Sequence, residues 1–511
     1  MDPHDINPAR RRFLLAAGTL AAAASLGPMR SAWAGEPGPG KATLTLTSGP
    51  GIPVSERLIG LSYETLQMHN PEFFSRNNGP LIGLLRRLNP QGVLRLGGCT
   101  NDYSAWSEYR GVLPPFPQLP NAVFKRPYMV TPQQLANLAD FLDATGWRLI
   151  FGVNLGRDLP EMAAQQAEAV QRAVGERLLA IQIGNEPNGF KDAQGHALTF
   201  DAYFARWQRS ADAIRRRVKV PLAGPDTGAN TDWVLRFAER VPDAVLLSRH
   251  YYRGGAPEPT TSIGQLLSGD PAFFAELPQV RQAAARHNTP FVLTEVNSYW
   301  GGGKLGVSNT LASALWGGDF ALACAQAGVE ALNIHGGVLS ILEASLDKNV
   351  AASLPDSGSL QQRLDAISGR YTPIAGDYGA GFYARPLYYG LLLAQQFGGA
   401  QFLPATLEAG GINLTAYAAV RKGRRVLALF NKDMQRDAEV TIQLDAATTR
   451  ARIWRLRGDS LDDVHGVSLA GAQVGGDGAW SPRGEEILTV RNATFALHMP
   501  RGSAALAWVD G

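Results

Sequence analysis

From residue 58 to about 395, short apolar runs alternate with amphipathic helical stretches, and this alternation restricts the chain to a fold built on a largely parallel sheet. The strand candidates are LIGLSYE (58–64), GVLRLGG (92–98), RLIFGVNLG (148–156), LLAIQIGNE (178–186), VPLAGPD (220–226), AVLLSRHYY (244–252), FVLTE (291–295) and ALNIHGG (331–337). Helical stretches fall at 131–145, 160–175, 201–217, 231–240, 273–287 and 309–327. Thr131-Pro132 marks the start of the first, because the missing N–H of a proline costs nothing in the opening turn of a helix. Eight strands with helical crossovers argue for a (β/α)8 TIM barrel rather than an open sheet.

After residue 396 the period changes to two. INLTAYAAV, RRVLALFNK, EVTIQLD, ARIWRLR, EILTVRN and ATFALHMP alternate apolar and polar residues between turn signals, as antiparallel strands do. The expected architecture is an α/β barrel over 58–395 followed by a C-terminal antiparallel β-sandwich over 396–511. KATLTLTSG (41–49) has the same alternation, so 35–57 is expected to add a strand to that β-domain. Three long segments follow strand ends, at 109–128, 253–272 and 338–370, where they could wall a pocket.

Residues 1–34 read as an export signal. Arg10, Arg11 and Arg12 precede Phe13-Leu14 in a twin-arginine pattern, a short apolar segment runs to Leu26, and Ala32-Trp33-Ala34 offers a cleavage site. The segment is too short to span a bilayer, and no cysteine follows for a lipid anchor. The expectation is a periplasmic or secreted protein without a stable membrane anchor. Hydrophobic content of 45% against 18% charged supports a large core. The formal charge is +3, which leaves no electrostatic footprint for nucleic acid. Cys99 and Cys324 are too few for a disulfide scaffold and read as buried free thiols.

Two strand candidates deliver glutamates: Glu186 in IGNEPNGF and Glu295 in FVLTEVNSYWGGG. Carboxylates at the C-terminal ends of barrel strands face the catalytic mouth. Two of them across one cleft are the minimum equipment for hydrolysing a glycosidic bond. Glu186 suits the acid that protonates the leaving oxygen, and Glu295 the nucleophile that attacks the anomeric carbon. Asn185 is placed to bond a sugar 2-hydroxyl. Arg95, inside LRLGG, suits a partner that orients a carboxylate. Asn154, His250, Tyr252 and His335 also end strands, and without a paired ligand spacing the histidines read as core or sugar contacts rather than metal ligands. Arg215-Arg216-Arg217 with Lys219 reads as a solvated helix end. The chemistry requires no cofactor and no metal.

These motifs, with GVSNTLASALWGGDFALACAQAGVEALNIHGG, resemble glycoside hydrolase family 79, which contains exo-β-glucuronidases and heparanases. The resemblance runs from GLSYE (60–64) through RLGGCTNDYSAW (95–106) to the β-domain. It implies Glu186 as acid/base, Glu295 as nucleophile, and Glu64 as a sugar contact. It also implies that a tyrosine five residues past the nucleophile, a glycine amide at seven and a later tyrosine hold the uronate carboxylate. Gly302 and Tyr371 match. Position 300 is Trp300, with Tyr299 one residue early; either the indole N–H substitutes or a bulge brings Tyr299 into place. The implied activity is retaining hydrolysis of β-linked uronic acid, exo-acting, on an oligosaccharide or glycoside. The alternatives are a heparanase-like endo-β-glucuronidase, or a non-catalytic carbohydrate-binding barrel. The oligomeric state is not legible.

Overall fold

The computed structural model describes residues 39–114, 128–192, 194–345 and 357–510. The segment read as an export signal, 1–34, lies outside these, as do parts of the first and third long segments. Eight strands close a barrel: β1 (Ile59–Glu64), β2 (Val93–Gly97), β3 (Arg148–Val153), β4 (Leu178–Ile183), β5 (Leu222–Thr227), β6 (Leu247–Gly255), β7 (Phe291–Trp300) and β8 (Ala331–Gly336). All neighbours are parallel, and β8 pairs with β1 to close the ring. The expected α/β barrel is therefore present, and the strands follow chain order around the ring.

Helices α1 (Gly79–Leu88), α2 (Pro132–Thr145), α3 (Pro160–Val174), α4 (Phe200–Arg217), α5 (Thr231–Arg240), α6 (Pro271–Arg286), α7 (Leu311–Gln326) and α8 (Pro386–Ala394) surround it. The start of α2 is a full capping box: Thr131 Oγ1 accepts from the Gln134 N–H, and the Gln134 side chain accepts from the Thr131 N–H. Helices α7 and α8 are apolar on nearly every face and almost wholly buried, because they lie between the barrel and the β-domain.

The barrel interior is layered. Val93, Ile150, Ala180, Ala223, Leu246, Val292 and Ala331, near the strand beginnings, form an apolar plug. Above it the inward residues turn polar and charged, with Arg95, Gln182 and Asp226 all buried. Apolar packing at one end and ionisable groups at the other fix which mouth can do chemistry.

Strand boundaries differ from expectation at the two functional strands. Strand β4 stops at Ile183, three residues before Glu186. Strand β7 continues past Glu295 to Trp300, because β6 also extends and pairs Asn297 with Tyr252, Tyr299 with Gly254 and Trp300 with Gly255. A bulge in β7 between Leu293 and Glu295 turns the glutamate into the mouth.

Beyond the barrel lie two packed antiparallel-rich sheets. The seven-stranded sheet holds Leu414–Arg421, Arg424–Asn431, Arg450–Arg457 and Ser503–Val509. The four-stranded sheet includes Ala438–Gln443 and the N-terminal strand Gly40–Leu46, which pair in parallel. Leu427, Leu429, Ile453, Val440, Leu497 and Ala507 fill the space between the sheets. The opposite face of the larger sheet, with Val426, Phe430 and Leu506, joins the barrel's main core.

Candidate active site

Arg95 on β2 organises the mouth. Its guanidinium is fully buried and forks between two carboxylates, Asp226 Oδ2 at 2.6 Å and Glu295 Oε2 at 2.7 Å. It also donates to Asn185 Oδ1 at 2.7 Å, Ser62 Oγ at 3.2 Å and Gln182 Oε1 at 3.3 Å. The planar fork suits such divided duty. A buried guanidinium without these acceptors would be costly, so the partners are required by its burial.

Asp226 follows the apolar part of β5 and sits at φ 57, in the left-handed region. It accepts from Arg95, from Gln182 Nε2 at 2.8 Å and from Thr294 Oγ1 at 2.6 Å, and His250 Nε2 lies 3.1 Å away. Burial raises its proton affinity, but Arg95 and His250 outweigh that and hold it well below the ordinary carboxylate range.

His250 on β6 has a carboxylate on each side. Nε2 faces Asp226, and Nδ1 lies 2.9 Å from Glu186 Oε1. Two carboxylate acceptors call for two ring N–H donors, hence the imidazolium form. Burial alone would push its pKa down; Asp226 and Glu295 reverse this and lift it to about 10. Arg95 and His250 thus balance Asp226 and Glu295.

Glu295 is buried, with both oxygens occupied: Oε2 by Arg95 and Oε1 by the Tyr252 hydroxyl at 2.7 Å. Burial disfavours its charge, yet the cationic surroundings and the Tyr252 hydrogen bond hold it well below the usual range. His335, close by, is pushed down by burial to about 4 and is neutral at neutral pH, so Arg95 and His250 supply the positive charge there. Glu186 is the more open of the pair, its side chain 36% exposed against 9% for Glu295. It stands at φ 44, again left-handed, with its N–H bonded to the Asp226 carbonyl at 2.9 Å. Strained non-glycine backbone at both Glu186 and Asp226 is what an over-determined functional site tolerates. Glu186, His250 and Glu295 each offer one atom such that all three lie within 4.8 Å of one another. Among the described residues this trio alone has the density for a cation, but Glu295 is already engaged by Arg95 and Tyr252, and His250 meets Asp226 through Nε2 and Glu186 through Nδ1.

The two glutamates open into a cavity of about 410 Å³ lined by Glu64, Cys99, Tyr252, Trp300, His335 and Tyr371 among others. Glu64 is fixed by Thr100, whose N–H and hydroxyl donate at 2.9 and 2.6 Å. Tyr371 is buried, its ring 6.1 Å from that of Tyr252. Trp300, 42% exposed, reaches the cavity. Tyr299 does not: its ring is fully buried and its hydroxyl donates to Gln265 Oε1 at 3.0 Å. The bulge in β7 lies upstream and does not turn Tyr299 inward, so the indole occupies the cavity wall. Of the glycine run, Gly301 lines the cavity, while the Gly302 carbonyl accepts from the Arg370 N–H at 2.7 Å. Gly301, Gly302 and Gly303 have φ of 84, 78 and 86°, a backbone that side chains rarely adopt. Asn185 faces an adjoining cavity, held by Arg95 and with Nδ2 3.8 Å from Cys99 Sγ. Asn154 instead braces loops, donating to the carbonyls of Asp102 and Ser104 at 2.9 and 2.8 Å.

Both cysteines are free. Cys324 is buried in α7, but Cys99 is at the cavity wall rather than in the core, and burial and then the nearby Glu64 charge push its thiol well up. Asp226 is the residue that sequence reasoning missed. Its one signal was an aspartate closing the apolar run VPLAGPD, the pattern that marks Glu186 and Glu295.

No family model matches the chain. A β-glucuronidase of Aspergillus niger is 27% identical over 223 residues, covering 38% of this chain and 41% of the relative. A β-glucuronidase of Neurospora crassa is 25% identical over 341 residues, covering 57% and 59%. The chain thus matches about half the length of these curated relatives. They agree with the resemblance to glycoside hydrolase family 79 carried by the motifs. Among solved structures, a 4-O-α-L-rhamnosyl-β-D-glucuronidase from Fusarium oxysporum superposes with a TM-score of 0.68 at 16% identity, over 91% of this chain and 99% of that one. At that identity the likeness is one of fold.

Proposed function

We propose that this chain is a retaining glycoside hydrolase that removes β-linked uronic acid from the end of a glycoside or oligosaccharide. The observation that carries the reading is the pairing of Glu186 and Glu295, with a carboxylate oxygen of each within 4.8 Å of the other. Retaining pairs stand about 5–5.5 Å apart, whereas inverting pairs leave room for a water at roughly 6.5–9.5 Å. The electrostatics divide the labour in the same direction. Glu295 is kept ionised, as a nucleophile must be, and Glu186 is the more open member.

In the first half of the reaction Glu295 attacks the anomeric carbon. The bond to the leaving oxygen breaks as Glu186 gives that oxygen its proton. A glycosyl ester on Glu295 results, and its charge is gone from the cluster. His250 then faces an ionised Glu186, which it stabilises through Nδ1–H. In the second half Glu186 takes a proton from water, the water oxygen bonds to the anomeric carbon, and Glu295 leaves as a carboxylate. The Tyr252 hydroxyl and Arg95 steady Glu295 in both halves.

A uronate is favoured by the glycine run, whose N–H groups donate no hydrogen bond among the described residues. Backbone amides in such a turn suit an anionic oxygen. Trp300 and Tyr371 line the same cavity. The β-glucuronidase names of the two fungal relatives support the same substrate class. The twin-arginine pattern at 10–14 supports export of the folded enzyme.

Proton NMR during hydrolysis of an aryl β-D-glucuronide tests the mechanism. The β-anomer of glucuronic acid is expected to form first and then mutarotate. Initial appearance of the α-anomer would exclude the covalent route through Glu295.

A further inference from the structure

A second cavity, of about 430 Å³, adjoins the first and shares Glu186 and Cys99 with it, but not Glu295. In a retaining glycosidase the acid/base stands on the leaving-group side of the scissile bond, so a cavity reached past Glu186 alone is where the leaving group lies. Three cationic side chains line it: Arg157 after β3, Lys191 in the loop after Glu186, and Arg206 on α4. Phe190, half-buried, adds an apolar face.

The pairing pattern on α4 sets Arg206 apart. Arg209, Arg215, Arg216 and Arg217 each meet a carboxylate, on Asp158, Asp243, Glu161 and Glu168. Arg206, the arginine of the same helix that faces the cavity, has no carboxylate partner among the described residues, and neither has Lys191. Besides Glu186, the cavity is lined by Asp102, which is already engaged: Oδ1 accepts from the N–H groups of Leu155 and Gly156 at 2.8 and 2.9 Å, and Oδ2 from that of Asn185 at 2.9 Å. Lys191 and Arg206, without a carboxylate partner among the described residues and beside an apolar ring, next to the acid that serves the leaving oxygen, form a site for an anionic oxygen group.

Building on the glycosidase reading, we propose that this cavity is a leaving-group subsite for an aglycone that carries a carboxylate or sulfate, with Lys191 and Arg206 as its specificity-determining residues. Among the described residues the first cavity is lined by neither lysine nor arginine, so the uronate there is left to the backbone amides of the glycine run. Two negative charges on adjacent units of the substrate are thereby read by two different devices, backbone amides on one side of Glu186 and side-chain cations on the other.

The test is binding by the full chain carrying Glu295→Gln, which stops turnover. Calorimetry would compare 4-carboxyphenyl and 4-carbamoylphenyl β-D-glucuronide, and the same two aglycones on β-D-glucose. The carboxylate is expected to bind about fivefold more tightly than its amide in each sugar series. Arg206→Gln with Lys191→Gln should bring that ratio close to one, and Arg206→Lys alone should keep most of it. Equal binding of acid and amide, no measurable binding of the carboxyphenyl probes, or a preference that survives the double substitution would overturn the subsite. Glucuronides bound more tightly than glucosides without an aglycone preference would remove the subsite and leave the uronidase reading standing. An aglycone preference with no discrimination between the sugars would do the reverse.

Discussion

Arg95 satisfies two buried carboxylates at once, and its replacement exposes what that arrangement holds together. Arg95→Leu leaves Asp226 and Glu295 buried without their cation, so stability should fall by about 3–5 kcal/mol, read from the urea midpoint. An unchanged midpoint would mean that the pair is not desolvated as described. Tyr252→Phe removes one hydrogen bond to the charged Glu295 and little volume. It should keep the fold and lower kcat/KM on an aryl glucuronide by about tenfold or more. His250 sets the pH behaviour. Its folded pKa of about 10 lies above the ordinary value of roughly 6.5, so the stability it contributes is complete below the latter and is lost as pH rises toward the former. Burial raises the Cys99 and Cys324 thiols too, adding a decline that begins nearer the ordinary thiol value of about 8.5. Between about pH 7 and 8.5 the thermal midpoint should therefore fall for the native chain and stay flatter for His250→Asn; parallel curves would place the imidazolium elsewhere. At this scale the sequence is unevenly legible. Glu186, Glu295 and Arg95 were legible because a charge at the end of, or inside, an apolar strand needs a reason. Asp226 was not, since its role depends on bringing β5 beside β2 and β6. The choice between Tyr299 and Trp300 also lay beyond sequence, because it turns on where the extended β7 sits against Gly254 and Gly255.

Elements were easier to read than their ends. Periodicity located the barrel strands and the helices between them, because burial on both faces leaves continuous apolar runs and amphipathic helices repeat at 3.6. The ends of β4 and β7 differ from the sequence reading because a turn after Ile183 and pairing with the extended β6, not composition, decide them. The contact between α7 and α8 is equally invisible in sequence. Gly390 approaches the backbone of α7 so closely that an added Cβ would lie 1.9 Å from the Ala314 carbonyl oxygen. Gly390→Ala should force the helices apart and destabilise by about 1–3 kcal/mol, measured by denaturant titration. A neutral result would show that the helices slide freely. On the other side of α7, Asp319 accepts from Lys432 Nζ at 2.6 Å, Tyr417 hydroxyl at 2.7 Å and Thr415 Oγ1 at 2.5 Å, which ties the helix to the seven-stranded sheet.

At the scale of the molecule, one apolar core runs from inside the helical ring to the near face of the larger sheet, through Leu387, Leu391, Phe430 and Leu506. A core shared in this way should make barrel and sandwich unfold together, with coincident transitions by tryptophan fluorescence and far-ultraviolet circular dichroism. Two separated transitions would mean that the sheets merely adjoin the barrel. Export belongs to this scale as well: Arg11→Lys with Arg12→Lys should retain the chain inside the cell, read by fractionation, and continued export would discard the twin-arginine reading. The central claim is that Glu186 and Glu295 hydrolyse a β-linked uronic acid. It is tested most directly by offering an aryl β-D-glucuronide beside the matching β-D-glucoside and β-D-galactoside, with Glu295→Gln as control. Cleavage of the glucuronide alone, lost by orders of magnitude in the variant, is the predicted result. Folded protein that cleaves none of them, or that cleaves the glucuronide equally well with Glu295→Gln, would contradict it.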